Sequence, residues 1–216
     1  MKINNLFESS GVKPFDKFMN WMFLRMVNPS NELKFNADEA KNSSALKNTN
    51  EYLDNFYEED GKINFNSPNN DVYLFLDSFH SEKMPTDIKF GKINARKFVI
   101  RSSDEITGVE PWFPEYLSGA LVFRDLPNLK SLSKIDKVVK RCDRIEFVKC
   151  KVDECLLGVM RIADLGEISD MTPHKGGEKK DFAQAIHIIS ENLIHGDIFS
   201  AQDELINAGL ERFAKL

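Results

Sequence analysis

The chain of 216 residues carries a formal net charge of −5, with 42% hydrophobic and 29% charged residues. That is enough apolar material for one domain with a buried core, which excludes a chain disordered throughout. The acidic balance excludes a protein that coats nucleic acid without specificity and leaves room only for a local basic patch.

Among the aromatic residues, 17 Phe stand against 4 Tyr and 2 Trp. A phenyl ring has no polar handle, so most of these rings are expected in the core. The opening residues, Met1 to Glu8, hold no apolar run of the signal-peptide kind. Nowhere do about 18 apolar residues run uninterrupted, so no membrane partner is expected. Cys142, Cys150 and Cys155 are an odd number without paired spacing. Reduced thiols in a cytoplasm fit that usage, so the expected location is cytoplasmic.

In chain order, residues 12–27 read as an amphipathic helix. Phe15, Phe18, Met19, Met22, Phe23 and Met26 recur at steps of three and four before Asn28-Pro29 stops the run. Residues 36–59 read as a second, more polar helix with Gly61 as its stop. Asn64 to Asn70, with Pro68, reads as a loop, and Val72 to Leu76 as a short buried strand. From about 85 to 171, short β-type runs alternate with Pro, Gly and Asn. After a loop from Thr172 to Gly177, the positions Phe182, Ala185, Ile186, Ile189, Leu193 and Ile194 make an amphipathic helix ended by Gly196. Asp197 or Ser200 can cap one more helix through Leu205 and Ile206, with Gly209 as its break.

The middle segment repeats. Phe98-Val99-Ile100, Leu121-Val122-Phe123 and Ile145-Glu146-Phe147 are β-type triplets with apolar outer positions, at steps of 23 and 24 residues. Six and nine residues after the first two triplets come Ile106 and Val109, then Leu129 and Leu132. After Phe147 the same places fall one residue early, at Val152 and Cys155. A truncated fourth unit is expected with Met160 and Ile162 in its triplet and Ile168 and Met171 behind it. Ile88, Leu117 and Val139 are returning apolar positions ahead of the triplets. The spacing lies within the leucine-rich range of roughly 20–29 residues. One such unit cannot bury its own apolar residues, whereas stacked units share a core and need caps at their ends. The expected fold is therefore α+β: a short leucine-rich-like solenoid sheet flanked by N- and C-terminal amphipathic helices. Residues 1–84 form an N-terminal helical and strand cap, 85–171 the repeat segment, and 172–216 a C-terminal helical region, all in one compact unit.

The clearest unit, Pro114 to Leu132, closes on Leu129-Lys130-Ser131-Leu132. It resembles the short degenerate leucine-rich-like repeats of accessory proteins of large tailed bacteriophages, where a strand is followed by a Leu-x-Ser-Leu turn. Ile106-Thr107-Gly108-Val109 matches loosely, and the third unit departs from the pattern at Cys150-Lys151-Val152. The likeness covers about 85 residues, under half the chain. It implies a phage protein that acts in the host cytoplasm through protein contacts, against a host defence or toxin protein.

Motifs of catalysis are missing. The cysteines have no CxxC pairing, and Cys150 and Cys155 occupy repeat positions otherwise apolar, so they read as core. His80, His174, His187 and His195 form no HExxH pattern and no triad-like set. Gly176-Gly177 beside Lys175, Lys179 and Lys180 lacks the spacing of a phosphate loop. No cofactor and no metal are expected. Lys134, Lys137, Lys140, Arg141 and Arg144 are the one basic cluster, without interleaved aromatic rings for base stacking. Alternation along each strand lays Val99, Val122 and Glu146 along one outward row, and Arg101, Arg124 and Val148 along the next. Arg161 joins the first row if the truncated unit exists.

The function expected is a non-enzymatic protein-binding module, with those outward rows as its face and a protein as its partner. The alternatives are a nucleic-acid-binding regulatory factor working through Lys134 to Arg144, and an enzyme whose site the motifs do not reveal.

Overall fold

A computed structural model describes residues 55–66, 73–77, 88–101, 103–171 and 180–216. The helices expected over 12–27 and over most of 36–59 lie outside these residues. Among the described residues there are nine strands, β1 to β9: Phe56–Glu59, Lys62–Asn66, Tyr73–Asp77, Phe90–Asn94, Lys97–Arg101, Tyr116–Leu117, Ala120–Arg124, Arg144–Val148 and Glu167–Asp170. Three helices follow the same chain order: α1 (Ile135–Val138), α2 (Lys180–Leu193) and α3 (Ile198–Asn207). The strands form two sheets, ordered β1-β2-β4-β6 and β3-β5-β7-β8-β9.

The second sheet is parallel throughout, and its register carries the repeat. Leu74, Phe98, Leu121, Ile145 and Ile168 are successive Cα partners across it. Each turn of chain adds one strand to it. The first sheet gains parallel partners in the same way and ends in single-residue bridges from Tyr116 to Arg141 and from Arg141 to Ala163. On a third side, Ser131 bridges Glu154 in parallel, and Lys130 donates its N–H to Thr107 O at 2.9 Å. The result is an α+β fold built on a β-solenoid-like middle.

Parallel stacking begins earlier than the repeat suggested. β3 pairs in register with β5, so Tyr73–Asp77, within and just past the strand expected over Val72 to Leu76, belongs to the stack itself. Asn64 to Asn66, expected as the start of a loop, belong to β2, Lys62–Asn66. Phe56–Glu59 is a strand rather than the tail of a helix. Asp60 and Gly61 both have positive φ, 52° and 69°, and join β1 to β2 as a two-residue antiparallel hairpin. Asp-Gly is the pair that such a turn favours, because both of its central residues need the left-handed region.

The core lies between the sheets. Phe98, Ile100, Leu121, Phe123, Ile145 and Phe147 point into it, as do Leu129, Leu132 and Val152 from the third side. Rings stack along the axis from Phe113 to Phe123, Phe147, Phe182 and Phe213, with centroids 5.7, 5.5, 5.2 and 6.3 Å apart. The last two rings come from α2 and the C-terminal strap, which close the end of the stack. Leu156 and Leu157 donate their N–H groups to Phe213 O at 3.2 and 3.0 Å. The Asp197 carboxylate caps α3, accepting the Ser200 N–H at 2.9 Å and its hydroxyl at 2.7 Å. Gly196 and Gly209, with φ of 65° and 73°, stand at the turns after α2 and α3.

Three substitutions test this architecture. Leu129 is buried in the cleanest unit. Leu129→Ala should lower unfolding free energy by about 2–5 kcal/mol in a denaturant titration, through lost transfer energy and a cavity. Gly119 sits at the corner between the sheets, where an added Cβ would stand 2.3 Å from Ala95 O. Gly119→Ala should cost about 1–3 kcal/mol through overpacking. Gly166→Ala, at the later corner where the nearest atom is 3.8 Å away, should stay within about 0.5 kcal/mol.

Candidate interaction face

The outward side of the second sheet is set by strand alternation. Its rows in register are Lys97, Ala120, Arg144 and Glu167; then Val99, Val122, Glu146 and Ser169; then Arg101, Arg124 and Val148. The structure thus brings together six of the seven residues singled out from sequence. Arg161 is the exception. It ends the 3-10 helix Leu157–Arg161 and is exposed away from the sheet, while Ser169 takes the fourth place in the row. Leu157, Gly158 and Val159 turn into the core, which uses this stretch as the return path between strands.

The valines are not open to solvent. Val99 and Val122, each 3% exposed, form a second apolar cluster with Ala120, flanked by Val148 and separate from the main core. Part of the reason is an ion pair that crosses a whole strand. Lys97 on β5 donates to the Glu146 carboxylate on β8, passing over β7 where Ala120 is small. The lysine stem then lies over the apolar row with its charge held at the far side.

What remains accessible is mostly cationic. The Arg124 side chain is 43% exposed, and its Nε is 3.5 Å from Asp125 Oδ2, an ionic contact without a hydrogen bond. Lys149 lies 3.8 Å from the same carboxylate's other oxygen, and Arg144 lies 3.9 Å from Glu167. Arg101 and Arg124 are direct Cα partners on neighbouring strands.

The basic cluster does not form one surface. Lys134, with a left-handed φ of 62°, Lys137 and Lys140 surround α1, Arg141 bridges the first sheet, and Arg144 faces out of the second. Carboxylates are interleaved with it: Lys137 with Asp136 at 3.0 Å and Arg141 with Asp164 at 2.8 Å.

The three cysteines are free thiols buried in the protein. Burial, with the charge of Asp143 adding to it, pushes the Cys142 thiol up to about 12. Burial likewise pushes Cys150 up to about 12, and its thiol donates to Phe123 O at 3.1 Å. Below those values the thiol keeps its proton and is no nucleophile. His187 and His195 are exposed on α2 and just after it, while His80, His174 and the Gly176-Gly177 stretch lie outside the described residues. Among the described residues no group of three or more His, Cys, Asp or Glu is placed to hold a metal, and no helix is long and apolar enough to cross a membrane.

Two features escaped the sequence reading. One is a groove between Lys151–Asp153 and the C-terminal strap. Its charges are internally matched, since Arg212 reaches Asp181 at 2.7 Å and lies 4.9 Å above the Phe213 ring. The other is an exposed apolar tip on α2 and α3, described below. The class that fold and face define is an α+β chain with a β-solenoid-like middle. No protein-family model, curated protein or solved structure matches the chain.

The thiol chemistry gives a direct check. Native protein incubated with iodoacetamide near neutral pH should show almost no labelling of Cys142 or Cys150 by mass spectrometry, and full labelling after unfolding. Rapid labelling of either in the folded state would mean a reactive thiol.

Proposed function

We propose that the chain is a non-enzymatic protein-binding module whose contact surface is the outward side of the second sheet. The observation that carries this reading is the pairing of Arg101 with Arg124 in register, beside Val148 and the half-buried Lys97–Glu146 bridge. Arginine is among the residues enriched at interface hot spots. The Arg124 guanidinium, whose side chain is 43% exposed, is open to a carboxylate of an acidic partner surface. Glu146 belongs to the face as the counter-charge that holds Lys97 down.

The leucine-rich character of the units, clearest at Leu129-Lys130-Ser131-Leu132, and their likeness to phage accessory proteins support a more specific reading. In it the partner is a host defence or toxin protein, met in the host cytoplasm and blocked by occlusion of its functional surface. Nucleic acid is the weaker partner, because carboxylates interleave with the cations of the basic cluster.

The test is a tagged pull-down from the native host cell, followed by titration of the recovered partner. Arg101→Glu with Arg124→Glu should weaken binding tenfold or more, about 1.4 kcal/mol at least, with the melting temperature unchanged. A folded double variant that binds the same partner as tightly as the parent chain discards this face.

A further inference from the structure

The helical pair at the C-terminal end carries a surface that neither the core nor the outward face uses. α2 turns Phe182, Ala185, Ile186 and Ile189 inward, and α3 turns Ala201 and Leu205 inward. Ile194, directly after α2, is 74% exposed, and Phe199, in the first turn of α3, is 77% exposed. Ile206, 45% exposed, stands seven residues after Phe199 and therefore on the same helix face. These side chains leave large apolar area in water at one tip of the molecule. Asp203, four residues after Phe199, shares that face.

Beyond Lys180, the Asp, Glu, Lys and Arg residues of the helical pair itself are all acidic. From Asp181 to Leu210 the chain holds five carboxylate residues and no Lys or Arg. Asp181 is taken by Arg212 and Glu191 lies 4.0 Å from His187 Nδ1; Glu191, Asp203 and Glu204 are all exposed along the pair. The Asp197 carboxylate, though engaged as the α3 cap, adds a further negative charge between Ile194 and Phe199. A second copy of the chain docking on this tip by symmetry would set acid against acid, and an anionic lipid surface meets the same repulsion.

We infer that the α2–α3 tip is a docking site for a basic amphipathic segment of a partner protein. Its apolar side covers Ile194, Phe199 and Ile206, and its Lys or Arg residues meet Asp203 and Glu191. Helix-on-helix recognition of this kind reads a few apolar anchors at helical spacing, and the charged rim selects orientation and partner. This inference stands on α2 and α3 alone and does not depend on the sheet face being a contact surface.

The probe is a labelled synthetic Leu/Lys peptide patterned as an amphipathic helix, titrated against the full chain by fluorescence anisotropy. Saturable binding that weakens as salt is raised is expected. Ile194→Ser with Phe199→Ser should weaken it tenfold or more without moving the melting temperature, since both side chains are solvent-exposed. Glu191→Lys with Asp203→Lys, which keeps the apolar tip, should weaken it as well, and this variant decides should the serine variant melt early. Equal binding of a charge-inverted Leu/Glu peptide overturns the inference, as does unchanged affinity in both variants. A sedimenting dimer that Phe199→Ser dissociates, or flotation with phosphatidylserine vesicles that it abolishes, would assign the tip to self-association or to lipid instead.

Discussion

Inward side chains in this fold are obliged to stack on their counterparts one turn away, because parallel strands in register set equivalent residues side by side. Phe123 and Phe147 show the consequence: their rings lie 5.5 Å apart and are inclined by only 20°. A phenyl group at that place in one turn favours a phenyl group at the same place in the next. The ladder then continues into Phe182 and Phe213, which belong to no strand. Ring contacts of this sort add about 0.5–1.5 kcal/mol each beyond the area they bury. A change of one residue within a strand would exchange the inward and outward sets, so the same stacking that builds the core also decides which residues form the face.

The corners keep that stacking in phase. Gly119 O accepts the N–H of Asp143 and, more loosely, that of Arg144, at 3.1 and 3.4 Å, while Ala120 donates to Arg96 O at 3.1 Å. Every turn thus passes from the first sheet to the second under hydrogen bonds from its neighbours. Asp125 and Lys149 hold positive φ, 49° and 52°, immediately after β7 and β8, where the chain must leave the sheet at once. Asp adopts that region at lower cost than Lys, and the Asp125 N–H donates to Val148 O at 2.9 Å. Buried Asn64 serves the first sheet similarly, accepting the Lys92 N–H at 2.7 Å beside a shift of register between β2 and β4.

Much of this was legible in the residues, because stacked units write their period into the sequence. The triplets at Phe98, Leu121 and Ile145 gave the register of three central strands, and the spacing of Phe182, Ala185, Ile186 and Ile189 gave α2. The period itself also pointed to Ile168, which lies 23 residues after Ile145 and pairs with it, yet the Met160–Ile162 run resembled a triplet more closely. Hydrophobic pattern alone does not distinguish a buried return path from a strand. Asp60-Gly61 was a readable hairpin signal, obscured because a glycine also ends helices. The burial of Val99 and Val122 was beyond local reading. Alternation gives the direction of a side chain, but the Lys97–Glu146 bridge spans three strands, 49 residues apart in sequence. The basic cluster was misleading for the same reason: Asp164 and Glu167, which meet Arg141 and Arg144, lie a full turn further along the chain.

The two surfaces proposed as contact sites differ in electrostatic character, and the fold explains the division. A parallel sheet places outward residues of adjacent turns abreast, so a cation repeated with the period, as at Arg101 and Arg124, becomes a row. The capping helices have no period to obey and carry acids on the side away from the stack. Arg212 bonds Asp181 at the foot of α2, where Lys180 also stands, and from Asp181 to Leu210 the chain has no Lys or Arg. Charge is thus separated between a side of the solenoid and its C-terminal end. A partner carrying both an acidic patch and a basic amphipathic segment would be oriented by that separation before any close contact forms, since complementary fields act mainly on encounter and register.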